Sequence, residues 1–195
     1  MPIRLRYGNT NTYYVPGSGG GILVDTDYAG TLSLFFRAAG QAGIRVEQIT
    51  WLLATHYHPD HMGIAGDLQK LGVKLLVMEQ QKDHLHDSDA IFAREKRLPF
   101  TPVDDRKITV IRCEDSRNFL RELGISGEIF STPSHSPDCV SLYLDSGECM
   151  VGDLEPYSYL EAYGDNAALR KDWDAVMSRD PSRILSAHVN EKVLR

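Results

Sequence analysis

The residues best able to do chemistry stand together in Ala54-Thr55-His56-Tyr57-His58-Pro59-Asp60-His61-Met62-Gly63, an H-x-H-x-D-H pattern with four metal-competent side chains in six positions. His56 and His58 are two apart in a segment that reads as extended, which directs both imidazoles to one side, and Pro59 keeps residue 58 out of the α region. That pair can share one metal ion. Asp60 and His61 enter the helix that follows, are rotated away from the first pair, and suit a second ion close by. Zinc binds imidazole and carboxylate at about 2.0–2.2 Å with four or five ligands, so each ion needs further ligands from elsewhere in the chain. His135, in Ser134-His135-Ser136-Pro137-Asp138, Asp153, in Gly152-Asp153-Leu154, and His188 are the candidates, each following a β-rich run. Any one of them alone reads as a cap or a solvated loop residue. Together and in this order they point to a metal site.

Other groups with metal-binding or redox potential read differently. Asp83-His84-Leu85-His86-Asp87 also contains H-x-H, but two residues along a helix are about 200° apart around its axis, so His84 and His86 belong to the surface. Cys113, Cys139 and Cys149 are odd in number and lack C-x-x-C spacing, which suggests buried thiols rather than a disulfide framework or a cysteine zinc site.

The elements that must position these groups follow from periodicity. Strands are expected at 3–7, 12–15 and 21–24, separated by glycine-rich turns. Helical spacing over 31–39 puts Leu32, Phe35, Phe36 and Ala39 on one face. A buried strand at 49–55 precedes a helix at 61–71 with Ile64, Ala65, Leu68 and Leu71 on one stripe, then a strand at 73–78. Residues 79–96 are charged and partly helical, and 97–107 form a loop with Pro99 and Pro102. Next come a strand at 108–113, a helix at 115–123 and a strand at 127–131. A hairpin pairs 140–144 with 149–151, and a helix over 166–178 leads to a last strand at 183–187. Strands bunched toward both ends with helices between them describe an α/β chain with mixed sheets.

Length and charge bound the function. The 195 residues suit one domain spanning 1–195, and 42% hydrophobic with 25% charged residues is globular composition. With 21 basic and 27 acidic residues the net charge is -6, which argues against nucleic acid and anionic membrane surfaces as partners. Apolar runs reach only a few residues, against about 20 for a membrane span. The N-terminal MPIRLRYGNT has no apolar stretch behind its arginines, so a cytoplasmic chain without a signal peptide is expected.

These motifs, in this order, resemble those of the metallo-β-lactamase-fold hydrolases over nearly the whole chain. Gly21-Ile22-Leu23-Val24-Asp25-Thr26 looks like the family's first motif, His56 to His61 its second, and His135, Asp153 and His188 its third to fifth. The resemblance implies a four-layer αβ/βα sandwich of two mixed β-sheets flanked by helices. It also implies one metal on His56, His58 and His135, another on Asp60, His61 and His188, and Asp153 bridging them. The ions would be divalent, with Zn2+ favoured and Fe or Mn as other occupants. Asp25 would orient a ligand loop without touching metal. Its competing reading is a cap for a turn, or for the helix beginning near residue 31.

Such an assembly suits hydrolysis. Two divalent ions, the carboxylates of Asp60 and Asp153 and a bridging hydroxide leave about one positive charge facing the substrate, where an oxyanion is stabilised. Metal binding brings the pKa of water from 15.7 to about 7. A dinuclear hydrolase of a small thioester, ester or lactone is therefore expected, with phosphodiesters as a variant. Asp60 and Asp153 would be its catalytic carboxylates. The tyrosine-rich loop 154–166 holds Tyr157, Tyr159 and Tyr163, and Tyr157 is a candidate donor to a carbonyl or leaving oxygen. His61, where one lactamase class has arginine, the lack of a cysteine in the fourth motif, and the presence of Asp153 argue against β-lactam hydrolysis. Only 35 positions separate Asp153 from His188, too few for the inserted domain of the family's endonucleases. The seven residues after His188 leave no room for the glutathione-binding helices of glyoxalase II. Two alternatives stay open. One is a mononuclear iron persulfide dioxygenase using His56, His58 and Asp153, which the retained Asp60, His61 and His188 speak against. The other is a non-catalytic metal-stabilised domain. The expected partner is a small-molecule substrate, with a homodimer possible.

Overall fold

The computed structural model describes residues 1–162 and 166–194. Its apolar runs become two sheets. The first is six-stranded and ordered as in the sequence: β1 Ile3–Arg6, β2 Asn11–Val15, β3 Gly21–Val24, β4 Ile49–Leu53, β5 Lys74–Met78 and β6 Ile108–Ile111. β1 to β3 form an antiparallel meander, and β3 to β6 are parallel. Parallel neighbours require crossovers, supplied here by α1 Leu32–Gln41, by α2 Pro59–Met62 with α3 Ala65–Lys70, and by α4 Asp89–Arg94. α5 Ser116–Glu122 leads into the second sheet, which contains β7 Gly127–Ser131, β8 Val140–Leu144, β9 Glu148–Met150, β10 Arg183–Leu185 and β11 Lys192–Val193 in the order β11-β10-β9-β8-β7. Only β9 and β10 run parallel there, joined through α6 Ser158–Ala162 and α7 Ala167–Met177.

The central strands β3 to β5 of the first sheet are apolar on both faces because both are covered. Leu23, Leu52, Leu75 and Val77 pack with Phe35 and Ala39 of α1 and Leu68 of α3. Ile22, Val24, Leu53, Leu76 and Met78 point the other way, against Ile129, Val140, Leu142 and Met150 of the second sheet. The outer face of that sheet, with Phe130, Cys149 and Ile184, lies under Trp173 and Val176 of α7. Helix, sheet, sheet, helix is the αβ/βα sandwich.

Three local features differ from the periodicity. The helix expected over 61–71 is two helices, parted at Gly63 and Ile64, and Gly63 lies against the loop after β3. A Cβ there would come 2.3 Å from the backbone nitrogen of Ala29. The loop 154–166 folds a short helix, α6, and Tyr163 lies outside the described residues. β11 escaped the sequence reading because two residues carry no periodicity. All three cysteines are free, with Cys139 and Cys149 buried and Cys113 partly so. Among the described residues no helix is long and apolar enough to cross a membrane.

The parallel relations place the carboxyl ends of β3, β4, β7, β9 and β10 along one side of the sandwich, where the candidate residues follow them. Leu53, fully buried between the sheets, ends the strand that leads into His56. Leu53→Ala should lower unfolding free energy by about 2–5 kcal/mol. Urea unfolding followed by circular dichroism measures this.

Candidate metal centre

The seven side chains converge from the ends of four strands, β4, β7, β9 and β10. His56 lies in the bend that follows β4 and His58 in extended backbone, and Pro59 then starts α2 at its first position, where its missing N–H costs nothing. Nε2 of His56 lies 3.0 Å from Nδ1 of His58, which lies 3.1 Å from Nε2 of His135. Bonds of about 2.0–2.1 Å to a tetrahedral ion separate neighbouring ligand atoms by about 3.3 Å, so this trio fits one ion. Asp60, His61 and His188 form a second trio: Nε2 of His188 is 3.1 Å and Nε2 of His61 3.8 Å from Oδ2 of Asp60. Asp153 stands between the two. Its Oδ2 is 3.9 Å from His56 and 3.8 Å from His135, and its Oδ1 is 3.2 Å from His61 and 3.1 Å from His188.

A specific observation shows that the donor set suits a cation. Both ring nitrogens of His61 and Oδ1 of Asp153 are buried without hydrogen-bond partners, although carboxylate and imidazole atoms crowd around them. Buried polar atoms left in that state cost free energy, and a shared metal ion would satisfy them. His56 and His61 form the buried floor, while His58, His135 and His188 form an exposed rim. The centre is open to solvent on the rim side.

The electrostatics are strongly coupled. Burial, reinforced by the neighbouring imidazoles, lowers the pKa of His56 far below the usual histidine range despite the opposing charge of Asp153. Burial disfavours charge on His61 as well, but Asp25 and Asp153 flank it and push it up to about 10. Burial alone would raise Asp153, and the charge of nearby His61, with that of His56 and His188, holds it well below the carboxylate range instead.

The profile of the metallo-β-lactamase superfamily matches residues 5–188. The chain belongs to the metallo-β-lactamase superfamily. It is 30% identical to glyoxylase B2 of Dictyostelium discoideum over 105 residues, covering 53% of this chain and 34% of that one. It is 24% identical to the beta-lactamase-like protein 2 homolog of Drosophila melanogaster over 189 residues, covering 97% of this chain and 61% of that one. This superfamily member thus spans about one third and three fifths of those relatives. Among solved structures, TTHA1623 in a di-iron-bound form superposes with a TM-score of 0.70 at 23% identity, over 100% of this chain and 94% of that one.

Around the seven, several side chains of this metallo-β-lactamase-superfamily chain act as braces. Asp25 adopts a left-handed backbone (φ +58°), which aspartate tolerates better than most residues. Its carboxylate accepts from the amide (2.6 Å) and hydroxyl (2.9 Å) of Thr55, and its Oδ2 is 3.1 Å from Nδ1 of His61. It caps no helix; the turn before α1 is closed instead by the Thr31 hydroxyl donating to the Tyr28 carbonyl. Gly152 (φ +55°) allows Asp153 to approach this strand end, since a Cβ would come 2.5 Å from the Thr55 hydroxyl. Sequence reasoning missed four braces. Asp138 accepts from the amide of Tyr57 between the two histidines, and buried Gln81 donates to the carbonyl of Ala54. Asp172 on α7 accepts from the amide of Ser134 beside His135. Asn11 donates to the carbonyls of Ser186 and Val189 on either side of His188. Asp138 had a faint signal in its place after His135; Asn11 and Asp172 had none. Tyr157 is 44% exposed, and its ring meets Trp173 edge to face at 5.6 Å. His84 and His86 are away from the centre and pair with Asp87 and with Asp89 and Asp105.

Two measurements follow from these braces. Asp25→Asn should weaken zinc binding by about 10- to 100-fold, as loss of a partner that orients a ligand generally does. Competition titration against a chromophoric chelator reads this directly. A metal at Nε2 of His61 must also displace the proton that His61 holds up to about pH 10. Zinc affinity should therefore climb as pH rises from 6.5 toward 10. The raised pKa stabilises the metal-free fold fully below 6.5, the unfolded value, and that contribution disappears as pH rises through about 10. Melting the chelator-treated protein across this range tests the sign.

Proposed function

We propose that this superfamily member is a metal-dependent hydrolase with two metal positions sharing Asp153, acting on a small thioester, ester or lactone. The carrying observation is the orientation of Asp153, whose two oxygens face different trios. His56, His58 and His135 would hold one ion and Asp60, His61 and His188 the other. When bound, a pair of divalent ions supplies hydroxide at neutral pH and a positive field for the oxyanion that forms when a carbonyl is attacked. The chain's own contribution is placement. Asp25 and Thr55 hold the His56 and His61 halves at one distance, and Gly152 sets Asp153 between them. The buried floor keeps bulk water from behind the ions, and the exposed rim admits the substrate. Tyr157 lines the same cavity as Asp153 and His188, and its hydroxyl is available to donate to a carbonyl or leaving oxygen. Similarity to a protein named glyoxylase B2 supports an enzyme over a non-catalytic metal-stabilised domain.

Elemental analysis of the purified protein should give close to two divalent ions per chain, with zinc and iron both measured. A stoichiometry held at one iron under metal excess, with Asp60 and His188 uncoordinated, would favour the mononuclear dioxygenase. Asp153→Ala should reduce turnover of an active thioester or ester by about 100-fold or more, the scale expected when reacting groups shift by 1 Å. Its circular dichroism should match the wild type.

A further inference from the structure

Beside the metal centre the sandwich opens into a cavity of about 700 Å3, within the range of about 300–1,000 Å3 typical of small-ligand sites. His135, Asp153 and His188 form part of its wall, so the cavity is continuous with the centre. Much of the remaining wall is apolar: Leu154, Tyr157, Trp173, Met177, Ile184 and Val189. Two elements make it so. Trp173 and Met177 are four apart on α7 and share one helix face. Ile184 in β10, Ser186 just after it and His188 line the cavity in turn, which carries the wall back from the metal centre along that segment. Lys192 is the register partner of Ile184 at that far end.

The wall is already formed and already exposed. Trp173 donates through Nε1 to the carbonyl of Glu155 at 2.9 Å and braces Tyr157, which ties α7 to the loop after Asp153. Tyr157, Met177 and Val189 are 44%, 46% and 51% exposed. A single exposed apolar side chain is ordinary, but several converging on one concavity beside a reactive centre mark a surface that a ligand covers. Apart from the ligand groups, the charged residues in the lining are Glu155 and Lys192, opposite in sign. The cavity therefore selects neither an anion nor a cation.

We infer that this cavity takes the acyl part of the substrate, and that this part is an uncharged apolar chain of medium length. The inference rests on the hydrolase reading for the position of the reacting carbonyl, at the end where Asp153 and His188 stand. A short polar acyl group would touch that end alone and leave the wall in water. Each methylene buried along the wall should raise affinity about fourfold.

Two series on the metal-loaded protein test this: phenyl thioesters from acetyl to decanoyl for kcat/KM, and the matching primary alkylamides, which are not turned over, for affinity by calorimetry. Both should rise about fourfold per methylene and level off once the chain outruns the apolar wall. Met177→Asp, at an exposed position, should flatten both slopes. Flat slopes with hydrolysis intact would overturn the inference while the hydrolase reading stands. Amide affinity that climbs with length while no thioester or ester is cleaved would support the apolar site and remove the hydrolase reading. A dimer in sedimentation that binds no amide would overturn the inference, with a second copy of the chain covering the wall.

Discussion

The hydrogen bonds from Thr55 to the buried carboxylate of Asp25 are the constraint on which the rest of the centre depends. Seven imidazole and carboxylate groups gathered within a few ångströms lose hydration and conformational freedom, so the scaffold must hold them there. Asp25 does this from the end of β3. Its neighbour β4 is parallel, so the two strands end side by side, and one carboxylate reaches both Thr55, next to His56, and the ring of His61. Both halves of the H-x-H-x-D-H segment are thereby referred to one fixed point. An unpartnered carboxylate or amide buried at this depth would cost several times the worth of an average hydrogen bond, so the arrangement is held as a unit.

The other half of the centre comes from the second sheet, and placing it is a problem of registering two sheets. The apolar layer between them supplies most of the stabilisation, but hydrophobic burial is non-directional. Directional bonds remove that freedom. The amide of Val140 in β8 donates to the carbonyl of Thr55 at 2.8 Å, and the amide of Asn11 in β2 donates to that of Ala187 at 2.7 Å. With Asp138 on Tyr57 and the Asn11 side chain around His188, each such bond lies within two residues of a candidate ligand. α7 adds a link of another kind. Its Asp172 holds the loop of His135 while its Trp173 and Met177 face the cavity, so one helix positions both a candidate ligand and the proposed binding wall.

Properties set by near neighbours were legible in the sequence. The apolar β-prone runs 21–24 and 73–78, the four-residue spacing in α7, and the proline that keeps His58 extended and begins a helix all depend on stereochemistry within a few residues. So does the placing of His135, Asp153 and His188 after β-rich runs, because parallel strands gather their carboxyl ends on one side. Order and spacing therefore determined the fold class and proposed the candidate ligands. Tertiary structure decided what depends on residues remote in the chain. Position 63 has room for glycine alone because the backbone of Ala29 passes against it. Asp25 braces a strand end rather than capping a helix because Thr55 and His61 come to it. Asn11 serves His188 across 175 or more positions. The side of Asp153 that each trio meets, and the apolar cavity beside them, exist only once two sheets and α7 are packed. No local pattern encodes a distance between chain segments that distant, so packing alone could set it.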